Sequence, residues 1–65
     1  MDIRVNGENR GFDDCTLSEV IVSMGLDPSR VAVELNGIIV PRAEFNDTSL
    51  KDGDSLEIVH FVGGG

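Results

Sequence analysis

The sequence has one cysteine, no tryptophan, no tyrosine and three phenylalanines among 65 residues. A lone cysteine rules out an internal disulfide and any multi-cysteine metal site, and it fits a reducing compartment. Basic residues are scarce: five Lys and Arg stand against twelve Asp and Glu, for a net charge of −7. That balance excludes the basic face a nucleic-acid partner requires. Three Phe without Trp or Tyr leave little to stack bases on. The acidic surplus instead favours encounter with basic protein surfaces. No apolar run reaches the ~18 residues of a membrane span, and no charged-then-apolar leader follows Met1. The expectation is a cytoplasmic chain, complete as written and without membrane contact. A chain of this length forms one small domain and buries only about 60% of its unfolded surface.

Within that length the periodicities are clear. Met1, Ile3 and Val5 alternate with Asp2 and Arg4, which predicts a half-buried strand from the first residue. Asn6-Gly7 is a strong hairpin signal, because both residues tolerate positive φ. A poorer second strand is expected through Arg10, Gly11 and Phe12. Thr16 and Glu19 then form a T-x-x-E capping box, with Cys15 and Val20 placed as a hydrophobic staple. Leu17, Val20, Ile21 and Met24 fall on one helical face, Gly25 supplies a left-handed C-terminal cap with Leu26 as its apolar partner, and Pro28 forbids continuation.

Val31, Val33 and Leu35 alternate with Ala32 and Glu34, Asn36-Gly37 repeats the hairpin signal, and Ile38 to Val40 return before Pro41. Residues 42–54 are polar with two anchors, Phe45 and Leu50, and end in the turn Lys51-Asp52-Gly53-Asp54. Ser55 to Val62 is the last and most apolar strand, suited to the centre of a sheet and to parallel pairing with the first. The order predicts an α+β domain: a β-grasp, ubiquitin-like fold with a five-stranded mixed sheet and one main helix on one face, over residues 1–62. Residues 63–65 are expected to form a flexible glycine tail.

That tail, Gly63-Gly64-Gly65, has no side chain to bury and a high entropic cost of ordering. It suits a thin thread that carries its carboxylate down a channel too narrow for other residues. An ionised α-carboxylate is a poor electrophile and needs activation. Adenylation with ATP would provide a leaving group that a thiol or persulfide can displace. The chain has no phosphate-binding loop of its own, since no Lys and helix follow Gly63 to Gly65. It is therefore expected to be a co-substrate, not an enzyme. Along the last strand, Leu56, Ile58, His60 and Val62 share one face, and Glu57, Val59 and Phe61 share the other. Val59, Phe61 and Val62 are candidate partner-binding residues beside the tail. Residues 42–54 folding back over Val59 and Phe61 is the competing outcome.

These residues carry a resemblance. Ile3-Arg4-Val5-Asn6-Gly7, Thr16-Leu17-Ser18-Glu19, Val31 to Gly37, Ile39-Val40-Pro41-Arg42, Asp52-Gly53-Asp54 and the closing Gly64-Gly65 resemble the ThiS/MoaD family of ubiquitin-like sulfur carriers, on its thiamin-biosynthesis side. The resemblance implies that a ThiF-like adenylyltransferase adenylates Gly65 with Mg-ATP, and that a persulfide donor converts the adenylate to a thiocarboxylate. A ThiG thiazole synthase then takes the sulfur for thiazole formation. It implies no bound cofactor or metal. The alternatives are a molybdopterin synthase small subunit, a protein modifier forming isopeptides, or a plain interaction module.

Four other groups have more ordinary readings. Cys15 is read as a packing residue, because Asp13 and Asp14 oppose a lowered thiol pKa. His60 lacks the partners of a catalytic base. Asp52 and Asp54 lack the further ligands of a calcium loop. Arg42 is read as a charge capping the sheet edge.

Overall fold

The computed structural model describes residues 1–61 of the chain. Five strands and one helix follow in the order β1 (Asp2–Val5), β2 (Glu8–Gly11), α1 (Leu17–Ser23), β3 (Val31–Leu35), β4 (Ile38–Ile39) and β5 (Ser55–His60), with 3₁₀ turns at Pro28–Arg30 and Arg42–Glu44. The sheet order is β2-β1-β5-β3-β4, so the last strand lies at the centre. It runs parallel to β1 and antiparallel to β3. This is the expected β-grasp arrangement.

The helix is specified locally at both ends. Thr16 accepts from the Glu19 amide, and Glu19 accepts from the Thr16 amide. The two remaining amides of the first turn reach the long connection: Leu17 donates to the Thr48 carbonyl at 2.8 Å and Ser18 to the Phe45 carbonyl at 3.1 Å. At the other end Gly25 has φ +77°, with Leu26 N–H on the Ile21 carbonyl and Gly25 N–H on the Val22 carbonyl. That pair of bonds is the Schellman motif. Leu17, Val20 and Ile21 are fully buried, whereas Met24, at the C-cap, is only half-buried. The helix joins Ile3, Val5, Val31, Val33, Phe45, Leu50, Leu56 and Ile58 in one core.

Both Asn-Gly pairs are hairpin turns, with Asn6 and Asn36 at φ 51°. Each asparagine also ties its turn to the central strand. Asn6 donates through Nδ2 to the Ile58 carbonyl at 3.1 Å and accepts the Ile58 amide at 2.7 Å. Asn36 accepts the Ser55 amide at 2.9 Å. The Asn6 side chain so continues the β1 edge of the ladder past the point where β1 turns away. Replacing Asn6 with glycine keeps the backbone conformation and removes this clamp. Asn6→Gly is expected to cost about 1–2 kcal/mol, because the Ile58 amide and carbonyl lose their partner. An unchanged urea midpoint would show that the clamp contributes nothing.

Four strands differ from expectation at a boundary: β1 starts at Asp2 and not at Met1, and β5 ends at His60, short of Phe61, with the other two as follows. β2 begins at Glu8 and ends at Gly11, because the two-residue turn forces pairing to start at Val5 opposite Glu8. β4 is only Ile38–Ile39, since Val40, although its amide reaches the Val33 carbonyl, leads directly into Pro41.

Candidate functional site

The helix covers one face of the sheet and leaves the other open. Alternation along β5 sets what each face carries. Leu56 and Ile58 are buried under the helix, while Glu57, Val59 and Phe61 are exposed on the opposite face. Val59 is 59% exposed and Phe61 52%. The connection 42–54 does not cover them. Its carbonyls at Phe45 and Thr48 bond to the start of α1, the Leu50 amide bonds to the Cys15 carbonyl, and Phe45 and Leu50 are buried in the core. The choice between a bare patch and a folded-back loop is therefore decided for the bare patch.

Phe61 is the last described residue, and its amide donates to the Arg30 carbonyl at 2.8 Å. β5 is thus held through its last residue, His60. Val62, Gly63, Gly64 and Gly65, the remaining candidate partner and tail residues, lie outside the described residues, as does the 62/63 domain boundary.

The open face extends beyond the candidates read from β5. Cross-strand pairing aligns Ile39 with Glu34 and Glu34 with Glu57 in one row, with Ala32 and Val59 in the next. These residues line a shallow hollow. Ile39 is 73% exposed. Sequence reasoning placed Ile39 in a strand but missed it as a surface residue. The signal was present: a two-residue Asn-Gly loop fixes Leu35 opposite Ile38 and Glu34 opposite Ile39, which puts Ile39 on the face away from Val33.

Elsewhere the chemistry is quiet. Partial burial, and then the carboxylates of Glu19, Asp13 and Asp14, push the Cys15 thiol up, away from the thiolate a relay needs. The Asp52 carboxylate accepts the Asp2 amide, and Asp54 accepts from the Lys51 amide and the Asn36 side chain. Both serve the turn. Arg42 is not simply an edge charge: its guanidinium donates to the Pro28 and Val31 carbonyls and straps the 3₁₀ turn to β3. Nothing in the local sequence hints at that, since the partners lie eleven and fourteen residues back. Among the described residues no three His, Cys, Asp or Glu side chains are grouped to hold a metal. No described helix is long and apolar enough to cross a membrane.

Comparison with known proteins adds an independent finding. Residues 3–65 match the model of the ThiS family. The sulfur carrier protein ThiS of Thermus thermophilus is 41% identical over 94% of this chain and 95% of its own length. A thiazole synthase of Paramagnetospirillum magneticum is 42% identical over the whole of this chain, which spans only 20% of that protein. The crystal structure of the thiamine biosynthesis protein ThiS from Geobacter metallireducens superposes with a TM-score of 0.83 at 35% identity, with both chains fully covered.

Proposed function

This chain belongs to the ThiS family, and from that premise we propose that it is a sulfur carrier for thiamin biosynthesis with Gly65 as its reactive residue. The observation that carries the proposal is the match over almost the entire length to a ThiS carrier, on a fold whose central strand runs towards the glycine terminus. One oxygen of the Gly65 carboxylate attacks the α-phosphorus of Mg-ATP in a ThiF-like enzyme, and pyrophosphate leaves. The terminal sulfur of a persulfide then attacks the acyl carbon of the adenylate, and AMP leaves. A thiol cleaves the resulting S–S bond, which leaves a thiocarboxylate on Gly65 and a disulfide on the donor. A thiazole synthase of the ThiG type consumes the sulfur. A relative named thiazole synthase that contains a segment like this whole chain supports that pairing.

The chain's part in this is to present the group, not to transform it. A stiff central strand and the exposed Val59 and Phe61 offer the activating enzyme an apolar hold beside the tail. Incubating the protein with the activating enzyme, Mg-ATP and a persulfide donor is expected to raise its intact mass by sulfur minus oxygen. A ladder of heavier conjugates would identify a protein modifier instead. Phe61→Glu is expected to weaken the enzyme's grip by about tenfold, with an unchanged melting temperature, since buried aromatic anchors dominate such contacts. Full loading kinetics in that variant would remove Phe61 from the interface.

A further inference from the structure

We propose that the open face is read by a cationic side chain of the activating enzyme, seated between Glu34 and Glu57 and walled by Ile39, Ala32 and Val59. This rests on the carrier reading above and specifies what the partner must bring.

The pairing puts Glu34 directly opposite Glu57 on two interior strands, with both side chains on the open face. Like charges directly opposite on a sheet are destabilising. The free domain nevertheless leaves them uncompensated. Its two ion pairs among the described residues are Arg10 with Glu8 and Arg30 with Asp27, and neither Glu34 nor Glu57 receives a side-chain hydrogen bond. Arg4 lies in the neighbouring row of the same face, opposite Ser55, and is not paired with either carboxylate.

The surroundings decide the occupant. Ile39 and Val59 flank the two carboxylates and are 73% and 59% exposed. A partner that covers these apolar residues must also cover the carboxylates. A wholly apolar surface would then bury two unpaired charges, which is costly. A second copy of this chain, with its own net charge of −7, would set carboxylate against carboxylate. An anionic membrane surface fails for the same reason. A protein surface that presents Arg or Lys amid apolar side chains satisfies both demands, and the acidic net charge draws such a surface in.

The test uses the intact chain and the ThiF-like enzyme of the same organism with Mg-ATP. Binding is titrated at low and high salt for wild type, Glu34→Gln, Glu57→Gln and Glu57→Lys, and each variant is melted alone. Either Gln variant is expected to weaken binding about tenfold and to flatten its salt dependence. Glu57→Lys is expected to weaken binding by about 100-fold or more while melting no lower than wild type, because the new ammonium faces Glu34. Loss of binding with gain of stability cannot come from damage to the fold. Wild-type affinity in Glu57→Lys, with wild-type adenylation intact, overturns this inference and leaves the carrier reading standing. A wild-type protein that the enzyme does not adenylate overturns both.

Discussion

Deleting Gly65 is expected to cut sulfur loading by about 100-fold or more while the protein melts at its usual temperature. The truncated chain still ends in a glycine carboxylate, so the chemistry of the reacting group is unchanged. What changes is reach. One residue fewer withdraws the carboxylate by up to about 3.5 Å. A misplacement of about 1 Å can already cost about 100-fold in a reaction that depends on positioning. Stability is expected to be indifferent to the change because, among the described residues, every buried core residue lies between Ile3 and Ile58. Intact-mass kinetics on the two proteins, with melting curves alongside, check both halves. A truncated form that accepts sulfur at the full rate would show that the carboxylate of Gly65 is not what the enzyme positions.

Leu56→Ala produces the opposite pattern, a large loss of stability from a residue with no part in the chemistry. Leu56 is fully buried in the central strand, paired with Val5 on one side and Leu35 on the other. Its truncation is expected to cost about 3 kcal/mol, the transfer term plus the cavity left behind. A 65-residue domain has only about 3–10 kcal/mol in total at the usual value per residue. The loss would lower the melting temperature by about 12–24 °C. Thermal unfolding followed by circular dichroism measures it directly, and a drop of only a few degrees would mean that the core closes around the gap. Two positions on, the same strand carries Ile58 in the core, and between the two lies Glu57 in solvent. Adjacent residues therefore divide between holding the fold and meeting a partner.

Much of this was legible before any coordinates. The capping box at Thr16 and Glu19, the Gly25 terminator and both Asn-Gly turns are local devices, each satisfied within a few residues. Residues 31–34 and 56–59 alternate between buried and exposed, so the membership of each face followed from the period of the strand. The family match agrees with a resemblance carried by those same segments. Less legible was anything that depends on distant contacts. Asn6 reads as a turn residue, yet its side chain also holds Ile58, fifty-two positions away. Arg42 reads as a surface charge and is instead a strap across two carbonyls.

By itself the sequence determined the elements, their order, the sharing of side chains between the two faces, and a terminus made only of glycine. Those are matters of spacing and of residue chemistry, which travel with the chain. Only the tertiary structure decided which face stays bare. That outcome depends on where residues 42–54 pack, and they pack against the start of the helix because the free amides of Leu17 and Ser18 find the carbonyls of Thr48 and Phe45 there. Strand period says which residues travel together, but only long-range hydrogen bonding and burial say what covers them.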